Sequence, residues 1–201
     1  MTPSTEPTPQ EWFEEWREPG EFYCAANKGL GGLYNSSGKF NPPQYLCDAY
    51  HAGRFARIWQ DDQGPCTVRL VRKDPPDAQL CSGSVCLKIE ITMALDKDSR
   101  LYLDLQNLRD EQRPKPVTGE ELRESAKEAI PRAVRKKADN YRTEGKALTL
   151  LVITNGSLSP EEMARLTEPW KNRFQAICLL SMMDVVVAWP KLGVLEGREP
   201  S

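Results

Sequence analysis

Apolar positions recur at helical spacing in some stretches and alternate or run together in others, and that pattern lays out the elements. From Gln44 to Trp59, Leu46, Tyr50, Phe55 and Ile58 are apolar with Arg54 and Arg57 between them, which predicts a helix. Asp61 to Pro65 reads as a turn. Cys66 to Val71 alternates, with Val68 and Leu70 on one side, and predicts a strand. The run Lys73-Asp74-Pro75-Pro76-Asp77 breaks it. A second strand, Val85 to Thr92, follows a turn at Ser82-Gly83-Ser84, closing a hairpin whose first arm starts at Asp77. Leu101 to Leu105 is a candidate third strand, and Asp110 to Pro116 a loop. The longest periodic stretch runs from Thr118 to about Glu144. It opens on a capping box, Thr118 with Glu121, and carries Pro131 at a position expected to kink or split it. Ala147 to Thr154 is a continuous apolar run, the signature of a strand covered on both faces. Ser159-Pro160 opens a further helix, and Gln175–Leu180 and Asp184–Trp189 read as two final strands.

Helices interleaved with strands in this order predict an α/β chain, an αβα sandwich around a central mixed β-sheet. Residues 1–10, with three prolines, read as a disordered tail. Residues 11–43 read as an extension, a short helix near Glu11–Trp16 followed by a Gly-, Asn- and Pro-rich loop from Asn27 to Pro43. The domain itself spans 44–190, and 191–201 form a second tail. The glycines near Gly29–Gly32 lack the Gly-Lys-Ser/Thr ending of a phosphate-binding loop.

The 201 residues suffice for one real core, and a formal net charge of −2 gives no overall attraction to nucleic acid, so any basic binding surface must be local. No apolar stretch approaches a membrane span, and the N-terminus lacks a signal pattern, so a cytoplasmic protein with no membrane partner is expected. The six cysteines are scattered, with no Cys-x-x-Cys and one histidine, which argues against a zinc site. Cys66, Cys86 and Cys178 read as small buried hydrophobes. Cys81 and Cys86 flank the hairpin turn and are expected near one another as reduced thiols. A single histidine, His51, leaves no hydrolase triad and reads as structural.

The chemistry concentrates in the hairpin. Lys88, Glu90 and Thr92 share one strand face, opposite Leu87, Ile89 and Ile91. A carboxylate among apolar neighbours is costly unless paired or bound to a cation, and Asp77 on the facing arm is placed to stand beside Glu90. Spacing alone fits better with a half-exposed strand that carries ordinary polar residues on its solvent face. On the long helix, Lys127, Ile130, Val134, Lys137 and Tyr141 fall on one stripe, so both lysines lie on an otherwise apolar face.

The pair Pro76-Asp77 followed by Ile89-Glu90-Ile91-Thr92 resembles the signature of the PD-(D/E)XK restriction-endonuclease-like superfamily. The resemblance spans about Gln44 to Pro190 in element order, with Thr92 standing where the family most often has its lysine. It implies a restriction-endonuclease-like fold and a metal-dependent nuclease hydrolysing phosphodiester bonds, with Asp77 and Glu90 as catalytic acids holding Mg²⁺ or Mn²⁺ and Thr92 in the motif's last place. It also implies a lysine supplied from the following helix, for which Lys137 is the candidate, ahead of Lys136; Lys88, on Glu90's face of the strand, is the third possibility. An acid on the first helix, Asp48, is the candidate third metal ligand. Arg132, Arg135 and Lys136 are candidate nucleic-acid contacts, and Arg54, Arg57, Arg69 and Arg72 form an earlier basic group. DNA is the expected partner, RNA the second candidate, and a homodimer would suit cutting of both strands. The alternative is a degenerate member of the same fold serving as a nucleic-acid-binding or protein-interaction subunit.

Overall fold

The computed structural model describes residues 9–37, 42–95, 118–154, 156, 158–181 and 186–189. The expectations over 1–8, 101–105, 110–116 and 191–201 fall outside the described residues. The chain divides into two units, one of residues 1–91 with 101–114 and one of 92–100 with 115–201.

In the first unit α1 (Glu11–Glu14), α2 (Pro19–Ser37) and α3 (Gln44–Gln63) accompany an antiparallel sheet of β1 (Thr67–Leu70), β2 (Ala78–Ser82) and β3 (Val85–Ala94). Alternation puts Val68, Leu70, Ala78, Leu80, Leu87 and Ile89 on one face, all buried, with Phe55 and Trp59 of α3 in the same core. Trp12 of α1 meets Phe22 of α2 edge-on, ring centroids 4.9 Å apart. The backbone of Arg17 exchanges hydrogen bonds with that of Val68, at 3.0 and 2.9 Å, which covers part of the outer edge of β1. The β2–β3 turn is the one the sequence predicts. Gly83 takes the positive φ of 56° that a two-residue hairpin loop asks of its first residue.

Four expectations fail here. Residues 27–37, read as loop, belong to α2, which continues through Gly29, Gly31 and Gly32. Tertiary packing outweighs the poor helix propensity of glycine: Phe22 and Ala26 are fully buried, and α2 lies so close to α3 that a Cβ on Gly53 would sit 3.0 Å from the Tyr23 Cα. Cys81 and Cys86, expected as reduced thiols, are joined by a disulfide, because the hairpin register sets them directly opposite one another. Cys86 is also exposed, not buried. Cys66 and Cys178 are buried as expected, and burial pushes the Cys66 thiol up to about 11 and the Cys178 thiol up to about 12. Helix α3 also runs four residues past Trp59, to Gln63, before Gly64 ends it.

The second unit holds α4 (Gly119–Asn140), β4 (Thr149–Thr154), α5 (Pro160–Thr167), β5 (Ala176–Ser181) and β6 (Val186–Trp189), with short 3-10 turns at Glu144–Ala147 and Glu168–Trp170. Strands β4 and β5 run parallel and β5 and β6 antiparallel, a mixed sheet. The chain is therefore α/β with helices packed on a mixed sheet, as the element order predicts. Every position of β4 and β5 is buried, which explains their unbroken apolar text. Ala126, Ala129, Ile130, Val134 and Ala138 of α4 and Met163 of α5 cover Leu150, Val152, Ile177 and Leu179. Both predicted caps form: Glu121 N–H donates to Thr118 Oγ1 at 3.2 Å and Glu162 N–H to Ser159 Oγ at 3.3 Å, and each glutamate accepts the returning bond. Hydrogen bonds from Thr118 hold the Glu121 carboxyl below its ordinary range. Pro131 does not split α4, since buried residues on both sides of it hold the two halves to one surface.

Gly156 follows β4 where α4 passes closest. A Cβ there would lie 2.5 Å from the Leu122 carbonyl oxygen and 2.6 Å from the Ala126 Cβ. Backbone of a buried helix does not yield cheaply, so Gly156→Ala should destabilise the protein by about 1–3 kcal/mol in urea unfolding. A variant as stable as wild type would mean that α4 shifts freely.

Among the described residues no helix is long and apolar enough to cross a membrane.

Candidate metal centre

Prolines shape the approach to the site. Pro75 and Pro76 have no N–H to give to a ladder, so the chain leaves β1 after Leu70 and rejoins the sheet at Asp77. There the Asp77 carbonyl accepts from Val71 N–H at 2.9 Å, and Asp77 N–H donates to Ile89 O at 3.0 Å. The side chain continues the pattern: Asp77 Oδ2 accepts from Ile91 N–H at 2.7 Å. A carboxylate oxygen thus takes a place on the ladder beside β3 and is fixed by a charge-assisted bond.

Glu90 lies between Ile89 and Ile91 on β3 and is 0% exposed. Asp77 is half-buried and Asp74, in the proline loop, is exposed. One carboxylate oxygen from each of Asp74, Asp77 and Glu90 lies within 4.8 Å of the other two. Two ionised carboxylates at that separation repel by roughly 3 kcal/mol at an effective dielectric of about 20. A divalent cation turns this repulsion into attraction. The donor set suits a particular class of ion. It is all carboxylate oxygen, with no thiolate and no imidazole, the hard set favoured by Mg²⁺, Mn²⁺ or Ca²⁺ over zinc. Among the described residues this is the one grouping of three acidic, cysteine or histidine side chains at such spacing.

Asp77 and Glu90, paired from the sequence, are brought together. Asp74 was missed; its signal was an acid three residues before Asp77, across two prolines, in a run that reads first as a strand breaker. Asp48 is not one of the three. It is half-buried on the first turns of α3 and accepts from Gln44 Nε2 at 2.9 Å. Thr92 is half-buried on β3, on the face of Glu90, and Lys88 is exposed on the same face.

The helix candidates belong to the second unit. Lys137 is half-buried on α4 with its Nζ 5.5 Å from the centre of the Tyr141 ring. Lys127, on the same stripe, pairs with Glu124 at 2.6 Å and with Glu162 at 3.7 Å, a link between α4 and α5. Arg123 reinforces it at 2.7 Å from Glu162, and that bond keeps the Glu162 carboxyl low. Arg132, Arg135 and Lys136 are exposed on α4, with Arg135 Nε 3.9 Å from Asp139. His51 is 6% exposed within α3, consistent with a structural place.

No family model, no curated protein and no solved structure matches the chain.

Proposed function

We propose that the protein is a metal-dependent nuclease that hydrolyses phosphodiester bonds in DNA, built on a restriction-endonuclease-like αβα sandwich and holding Mg²⁺ or Mn²⁺ on Asp77, Glu90 and Asp74. One observation carries this reading: three carboxylates, from the proline loop, the residue leading into β2, and β3, converge within 4.8 Å, one of them wholly buried. When bound, the cation supplies Lewis acidity towards phosphoryl oxygens and lowers the pKa of a nearby water. Glu90 and Asp77 hold it, and the Ile91 N–H keeps the Asp77 carboxylate from turning away. In this reading Thr92 occupies the motif's last place, Lys137 is the candidate for the family's lysine, and Arg132, Arg135 and Lys136 are the candidate contacts to the nucleic-acid backbone. RNA is the second substrate class. The reading includes a cytoplasmic location, where the Cys81–Cys86 bond would be exposed to reducing thiols, and assembly as a homodimer.

Thr92 itself favours a second reading. A hydroxyl does not carry the charge of the family's usual lysine, as in a degenerate site retained for binding nucleic acid or a protein partner.

Cleavage of single- and double-stranded DNA with Mg²⁺ or Mn²⁺ separates the two. Wild type should cut, and Asp77→Asn or Glu90→Gln, each shown to be folded, should lose at least about 100-fold in rate, as losing a metal ligand or its support does. Cleavage that persists in chelator, or is equal in the variants, would overturn the nuclease reading. Metal-independent binding without cleavage would select the second.

A further inference from the structure

The solvent face of the first unit's sheet carries a row that neither reading uses. Arg69 on β1 stands opposite Gln79 on β2, and Gln79 stands opposite Lys88 on β3. Directly opposed residues of antiparallel strands share a face, so the three side chains form one line about 10 Å wide across the strands. Arg69 is held in that line. Its Nε and Nη2 donate to Gln79 Oε1 at 3.2 and 2.9 Å, and its guanidinium lies 4.4 Å from the centre of the Trp16 ring. Two of its five donors are spent on Gln79, and the guanidinium has others with which to meet an anion. Lys88 is exposed, and Trp16 is 40% exposed, one of few large apolar side chains on the described surface. Beside this row Arg72 stacks on Phe13 at 5.0 Å. The three acids within two residues of Trp16 are engaged, Glu15 with Arg17 at 2.6 Å, Glu14 with Arg72 at 3.9 Å, and Glu18 as acceptor from Glu21 N–H at 3.0 Å.

We infer that this row is a docking surface for single-stranded DNA: Arg69 and Lys88 take phosphates of one strand, and Trp16 stacks an unpaired base. Fixed cations beside a half-exposed indole are complementary to a polyanion with planar bases, and only an unpaired base offers its face to the ring. A duplex could satisfy the cations but not the indole. Lys88 lies two residues from Glu90, about 7 Å along β3, so a strand on this row runs beside the carboxylate cluster. As a delivery path the surface rests on the nuclease reading; as a binding surface it is tested without metal.

The test is fluorescence anisotropy of a labelled oligothymidylate and of a duplex, both in chelator, at several salt concentrations. Wild type should prefer the single strand. Trp16→Ala should weaken binding about tenfold, and Trp16→Phe should recover most of the loss, as expected of stacking. Lys88→Gln, at an exposed position, should reduce the salt slope by roughly 0.7. The proposal is overturned if wild type shows no binding or prefers the duplex, or if Trp16→Ala and Lys88→Gln bind as wild type does. Metal titration is independent of these outcomes, so failure of the surface and failure of the metal centre are told apart.

Discussion

Mg²⁺ or Mn²⁺ should stabilise the wild-type protein against unfolding and leave Glu90→Gln unmoved. A ligand that binds only the folded state adds RT ln(1 + [L]/Kd), about 2.7 kcal/mol at one hundred times the dissociation constant. For a chain of this size that corresponds to several degrees in Tm. Glu90 is the residue to change because it is wholly buried and has Asp74 and Asp77 oxygens within 4.8 Å. Glutamine keeps its volume and one carbonyl oxygen and removes the charge that binds the cation. Asp74→Asn should reduce the metal effect less, since an exposed ligand competes with water at little cost. Differential scanning fluorimetry across a metal titration checks this. Equal shifts in wild type and Glu90→Gln would place the binding elsewhere.

Acid should weaken the protein through His51 before most carboxylates titrate. Burial, and next the neighbouring Arg54 charge, lower the His51 pKa from 6.5 to about 4. The unfolded chain therefore binds a proton between pH 6.5 and about 4 that the folded protein refuses, so stability is full above 6.5 and falls as pH drops through that window. The loss is about 2 kcal/mol by pH 5 and about 3 kcal/mol by pH 4. Among the described residues the buried His51 Nδ1 has no hydrogen-bond partner, so none of them accepts from Nδ1–H once the ring is protonated. His51→Gln should flatten the unfolding free energy between pH 7 and 5 in urea titrations. An equally steep decline in the variant would assign the effect to other groups.

The local signals in the sequence were the ones that proved readable. The Thr118 capping box, the helix start at Ser159, the Gly83 turn, the alternation of β1 and the unbroken apolar text of β4 all depend on neighbours within a few residues. The structure has each where its chemistry asks for it. Asp77 and Glu90 were legible for the same reason, since a hairpin with a fixed turn sets which residues face each other. What failed depends on distant partners. The α2 glycines read as a loop because propensity is local, whereas the helix is decided by its fit against α3 at Gly53 and Leu46. Pro131 reads as a kink or a split, and the split does not occur because the buried stripe on either side carries the helix through. Asp74 joins the cluster only through the path of the proline loop, which no periodicity encodes. The facing of Cys81 and Cys86 was readable, but their oxidation state follows thiol chemistry that spacing does not reveal.

Asp77, Glu90 and Asp74 are grouped so that they could hold a metal ion. Calorimetric titration of Mn²⁺ into metal-free wild type, beside a folded Asp77→Ala/Glu90→Ala double variant, tests it most directly. Wild type should give a saturable heat that is absent from the double variant. The same heat in both proteins, or none in wild type at millimolar metal, would contradict it.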